Sequence, residues 1–173
     1  EYAWGSATIM ASSIQGLSVT EDGTEIVTNS TALGGCNYGG DNHAGGDGGQ
    51  GPLRAGIFAT NGASRVAAGA SYWGILELSG NQWERVVTVS QAAGFLFTGL
   101  HGNGVLTTAD GEADVSNWPG SGAGGSGSRG GSYNSGMTSY RVSDRGDLGA
   151  RALRYPHYGG WRAVRTAPPG VGP

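Results

Sequence analysis

The chain has 173 residues, 36 of them Gly, and a net charge of −3, its ten basic residues all being Arg. That balance excludes the basic stripe or patch expected of a nucleic-acid binder, and a Gly share about three times the usual one without a triplet period excludes collagen. Five Trp and seven Tyr within 37% apolar residues exceed what a disordered chain carries, so one folded α+β domain with a real core is expected.

In chain order, residues 1–33 read as short extended pieces: Ile14, Leu17 and Val19, then Ile26 and Val27, around a turn at Glu21, Asp22 and Gly23. Residues 34–52 are too rich in Gly to be anything but loop. Asp41, Asn42 and Asp47 offer oxygen ligands there of the kind Ca²⁺ takes, without the spacing of an EF-hand or a nonapeptide repeat. Cys36, the one cysteine, excludes an internal disulfide framework and any multi-thiolate metal site in one chain, and reads as a small buried hydrophobe.

Residues 53–59 (LRAGIFA) and 71–78 (SYWGILEL) are the most apolar segments and predict the core, with 83–89 (WERVVTV) as a β-branched strand. Residues 90–118 alternate short apolar pieces with Gly, and 119–131 (PGSGAGGSGSRGG) are flexible loop by composition. The segment ending in HYGGWRAVR predicts a closing strand with Trp161, Ala163 and the stem of Arg165 on one face. Residues 1–165 thus form one domain, and 166–173 a Pro/Gly-rich tail.

Charged residues are only 13%, about half the usual fraction, so Ser, Thr, Asn and backbone groups must solvate the surface. That suits an extracellular, cell-surface or virion setting. No run approaches the roughly 18 apolar residues of a membrane span, and Glu1 does not open a signal peptide.

Three separated motifs carry a family resemblance. WGILELSGNQWERVV (73–87) resembles the GLYDMSGNVWEWV element of formylglycine-generating-enzyme (sulfatase-modifying factor) domains, and SRGGSY (128–133) resembles their RGGSW. YRVSDRG (140–146) followed by GGWRAVR (159–165) is similar to their RVAxR…GFRxxR, and EYAWG at the start to the segment after their EAEWEYA phrase. The resemblance implies a C-type-lectin-like fold, α+β with small twisted sheets, long ordered loops and little regular structure. It also implies that the family's N-terminal helical portion is missing from these residues, so the natural chain is expected to be longer or this one a shortened version.

Enzymes of that family oxidise a substrate cysteine with O₂ and a copper(I) ion held by two thiolates just after the RGGSW-like motif. Here that stretch, Asn134 to Tyr140, has no cysteine, and Ser cannot replace thiolate toward copper(I), so the activity is expected to be absent. His43, His101 and His157 lack metal-ligand spacing, and there is no G-x-S-x-G elbow. An oxidase of this type, or an iron-dependent sulfoxide synthase, is therefore the least favoured reading.

The resemblance places Asn81 and Glu84 near a structural Ca²⁺ site of the family, the alternative being a turn-stabilising Asn and an ion-paired Glu84. It makes Arg141, Arg145 and Arg162 internal partners of carboxylates such as Asp144 or Glu84. Trp83 is expected in the core. In the branch of this fold used by diversity-generating retroelements, the ligand surface precedes the closing strand, which here implies Tyr133, Asn134, Ser135, Tyr140, Arg154, Tyr155, His157 and Tyr158. Tyr with Ser and Asn is the chemistry of antibody paratopes. Two functions follow: a binding module for a protein or glycan, or a subunit that self-assembles into an extracellular filament or virion.

Overall fold

The structure, a computed structural model, describes residues 1–9, 27, 32–38, 52–88, 90–100, 115, 125–148 and 159–160. Strand β1 (Trp83–Val87) is the centre of a three-stranded sheet. On one side β2 (Ser126–Arg129) pairs with it antiparallel, with Glu84 opposite Arg129 and Val86 opposite Gly127. On the other side the two residues of β3 (Gly159–Gly160) pair with Trp83 and Glu84 in parallel. A single helical turn, α1 (Ala92–Phe95), and one 3₁₀ turn, Met137–Tyr140, complete the regular structure of the described residues.

Strand β1 follows from its sequence: Val86 and Val87 are β-branched and favour extended backbone, with Trp83 buried and Arg85 exposed along it. Strand β2 does not, because its SGSR stretch belongs to the segment whose composition reads as flexible loop. Small side chains are what its position demands. Leu148 crosses so close that a Cβ on Gly127 would strike its backbone, and the Ser128 amide donates to the Asp147 carbonyl at 3.0 Å. Main-chain pairing, rather than side-chain propensity, makes this strand.

The core has two parts. Tyr2, Trp4, Cys36, Tyr38 and Tyr140 form one cluster, flanked by Ile9 and Val66; Val27, Ile57 and Phe58 form the other, flanked by Leu53 and Ala32. Tyr2 stacks on Trp4 with ring centroids 5.0 Å apart, and Tyr38 meets Tyr140 edge-on at 5.7 Å. Residues 34–38, the described start of the Gly-rich run, have no regular secondary structure, as composition predicts, and are buried. Gly34 and Gly35 donate to the Val66 and Ala67 carbonyls, and Gly69, at φ +67°, approaches Gly35 so closely that any Cβ would hit the Gly35 carbonyl oxygen.

The expectation that 71–78 is core is not met: Leu76 and Leu78 are only half-buried and the apolar residues before them are exposed. Tyr72 and Trp73 are 77% and 82% exposed, and Ile75 is exposed too. Ser71 closes a tight turn beneath them: its carbonyl accepts from Gly74, its amide donates to Ile75 O, and its hydroxyl accepts from the Ile75 amide at 3.1 Å. The two rings sit at the tip, edge to face at 5.0 Å. Trp83, by contrast, is buried as expected.

Cys36 is fully buried, and its S–H donates to the Ser79 carbonyl at 2.9 Å. Burial first, then the Glu77 and Glu84 carboxylates, push its pKa well above the usual thiol value. The folded chain therefore keeps this proton where the unfolded chain releases it. The stabilisation is full below the ordinary thiol pKa and is lost as alkaline pH rises through the folded value. Iodoacetamide at mildly alkaline pH is expected to leave Cys36 unmodified in the native protein and to label it completely in urea, read by intact mass; rapid native labelling would place the thiol at the surface.

Candidate functional site

Asn81 ties the motif SGNQWER to three other segments. Its carboxamide oxygen accepts from the Leu53 amide at 2.7 Å and from Asn37 Nδ2 at 3.1 Å, while its own Nδ2 donates to the Leu53 carbonyl at 3.0 Å. Its main-chain amide donates to Asn37 O, and its carbonyl accepts from the Tyr133 amide at 2.7 Å. The residue is buried with φ +67°, a left-handed conformation that Asn tolerates better than most residues. Both lone pairs of the amide oxygen are used in these bonds, and the side chain clamps Leu53 and Asn37 to this turn.

Glu84, the other expected calcium ligand, lies apart from that clamp, half-buried on β1. Its carboxylate occupies the space a Cβ on Gly130 would need, and Gly130 itself has φ +85°. Two independent constraints thus require Gly at this position of the SRGGSY motif. Among the described residues no three His, Cys, Asp or Glu side chains gather into a cation site.

Of the expected ligand-binding residues, Asn134 is exposed and Ser135 half-buried. Tyr133 and Tyr140 are only 7% and 1% exposed, which corrects the expectation that they are contact anchors. Tyr140 is instead a clasp for its own loop: its hydroxyl lies 2.6 Å from both the Ser132 and the Ser135 carbonyl oxygens, sharing one proton between them. The Ser132 and Ser135 hydroxyls pair at 3.0 Å, and Ser79 Oγ donates to Tyr140 O at 2.9 Å. Arg154, Tyr155, His157 and Tyr158 lie outside the described residues, as do Asp41, Asn42, Asp47 and Arg162.

The sheet face bearing Glu84 and Val86 opens into a cleft of about 480 Å³, within the range of small-molecule sites. Leu78, Val86, Val87 and Ala3 give it aliphatic walls, and Glu84, Arg129, Arg141 and Val142 complete it between β2 and the end of the 3₁₀ turn. Arg129 and Arg145 both donate to the Val142 carbonyl. Arg145 also donates to the Asp144 carbonyl at 2.8 Å, so it bonds main-chain oxygens and not the Asp144 carboxylate it was expected to meet. Burial, then the neighbouring Arg145, hold the Arg129 pKa below its usual value, with Asp144 opposing them. Sequence reasoning missed this cleft because its walls come from four separated segments; the Arg at 129, 141 and 145 were its one visible trace.

The stretch 134–140 carries Met137 and no thiolate, and Cys36 is held protonated in the core. Among the described residues no helix is long and apolar enough to cross a membrane. Comparison with family models, with curated proteins and with solved structures gives no match.

Proposed function

We propose that this chain is a C-type-lectin-like domain of the formylglycine-generating-enzyme type that does no chemistry and serves, at a cell or virion surface, as a binding module for a protein or glycan. One observation supports this most: the three motifs behind the resemblance meet in a single sheet. WERVV of the first forms β1, the start of SRGGSY lies in β2, and the Gly pair of GGWRAVR forms β3. Segments far apart in sequence are thereby brought to adjacent strands, with the 130–148 loop pinned above them by Tyr140. The buried, protonated Cys36 favours the non-catalytic side of the reading, because copper(I) would require thiolates.

With Tyr133 and Tyr140 interior, the working surface is assigned to Asn134 and Ser135 together with Arg154, Tyr155, His157 and Tyr158. Glycan arrays and a displayed library of surface-protein ectodomains, probed with purified protein, provide the test. Replacing Tyr155 and Tyr158 together by Ala is expected to weaken whatever the parent binds by about 30-fold or more, since aromatic anchors carry about 2 kcal/mol or more each, at unchanged melting temperature. Undiminished binding would move the surface elsewhere, and about one copper ion per chain on elemental analysis would overturn the non-catalytic reading.

A second reading, a self-assembling filament or virion subunit, draws on the exposed Tyr72 and Trp73, whose rings meet edge to face, since clustered exposed apolar groups mark contact surfaces. Negative-stain images of filaments in purified material, absent after Trp73→Ser, would select it.

A further inference from the structure

The cleft has a charge arrangement that no partner among the described residues resolves. Two guanidinium groups, from Arg129 and Arg145, converge on one carbonyl oxygen, Val142 O. That oxygen accepts both and is then saturated, so the remaining N–H donors of both groups point elsewhere. One residue away, Arg141 lines the cleft, exposed, and its guanidinium makes no hydrogen bond or ion pair among the described residues. Beside these cations the wall is aliphatic: Leu78, Val86 and Val142. Within the lining, Glu84 supplies one carboxylate against the guanidinium groups of Arg129 and Arg141.

We infer that this cleft binds an organic carboxylate carrying a short aliphatic body, its carboxylate taken by Arg141 and Arg129 and its body laid against Leu78, Val86 and Val142. The chemistry follows from the lining. Arg presents a planar fork that matches a carboxylate bidentately, and a cluster of guanidiniums flanked by low-dielectric walls concentrates the attraction for an anion. The aliphatic wall supplies non-directional affinity that a bare inorganic anion cannot use. The inference does not rest on binding by Asn134, Ser135, Arg154, Tyr155, His157 or Tyr158, none of which lines the cleft. Free short-chain acids and the C-terminus of a peptide ending in an aliphatic residue present the same chemistry.

The test uses hexanoate and N-acetyl-leucine as probes, with N-acetyl-leucinamide as the neutral control, titrated into ¹⁵N-labelled protein to about 10 mM, where ligands of this size at ordinary efficiency bind measurably. Expected are saturable amide shifts at Val86, Arg129 and Val142 with either carboxylate, at least about tenfold weaker binding of the amide, and about tenfold weaker carboxylate binding in Arg141→Gln. Arg141 makes no side-chain bond among the described residues, so that variant should melt like the parent; Arg129→Gln, at the other guanidinium of the lining, gives a second loss. Tighter binding of hexanoate would identify free acids as the source, and tighter binding of N-acetyl-leucine a peptide terminus. Equal binding of the amide and the acid, unchanged affinity in both Arg variants, or no saturable shift would overturn the inference.

Discussion

Trp4→Ala is expected to destabilise the protein by about 3–5 kcal/mol, the range for truncating a fully buried aromatic, because a cavity remains where transfer energy is lost. Trp4 is 1% exposed, stacked on Tyr2, with its indole N–H on the Thr8 carbonyl at 2.8 Å. The surroundings have little means of collapsing into the gap. Gly34 and Gly69 face the ring with no side chains to extend, and the Trp4 carbonyl is held by Arg65 Nη1 at 3.0 Å. For a domain of this size the change corresponds to a fall in melting temperature of roughly 10 °C or more, measurable by circular dichroism and by urea titration. A loss below about 1 kcal/mol, typical of surface sites, would place the ring outside the core.

The second large effect belongs to Asn81→Ala. Removing the carboxamide strands the Leu53 amide, the Leu53 carbonyl and the Asn37 side-chain amide, all partners of Asn81. Each buried group left unsatisfied costs about 1–3 kcal/mol. Ala also tolerates φ +67° poorly, at about 1–2 kcal/mol. These losses share one loop and do not add fully, so about 3–5 kcal/mol is expected. Asn81→Gly restores the backbone freedom but not the bonds, and should fall between parent and Ala. EDTA should leave the parent's melting temperature unchanged. A fall on chelation that Asn81→Ala abolishes would return this residue to the role of metal ligand.

Asn81 also illustrates what is legible in such a sequence. The position stood out as important, but its bonds to Leu53 and Asn37 were not foreseen, because a motif marks where a side chain matters and not which atoms it meets. Strand β1 is legible from Val86 and Val87, whose branched side chains favour extended backbone wherever they occur. Strand β2 is not, since Ser and Gly state no preference and its pairing is dictated by Arg85 and Val86 across the sheet. Counting apolar residues misplaced Tyr72 and Trp73, because the Ser71 turn that lifts them to the surface is made by hydrogen bonds of a hydroxyl and a backbone, which hydropathy does not register. The aromatic cluster was invisible for a different reason: Tyr2, Tyr38 and Tyr140 share no local period, only a destination. The cleft shares that obscurity, as Ala3, Leu78, Val86 and Val142 have nothing in common until the chain is folded.

The joining of the first residues to the last part of the loop has a kinetic side. The Val142 amide donates to the Glu1 carbonyl at 3.0 Å, the Ala3 amide to Ser79 Oγ, and Tyr2 and Trp4 share a cluster with Tyr140. During synthesis residues 1–4 wait for the Tyr140 and Val142 part of their packing, made more than a hundred positions later, a delay of several seconds or more at about 5–20 residues per second. Closing contacts of such high sequence separation requires the loop entropy to be surrendered before any packing returns it. Completion of the Tyr2, Trp4 and Tyr140 cluster is therefore a closing step of high sequence separation rather than growth from a local nucleus.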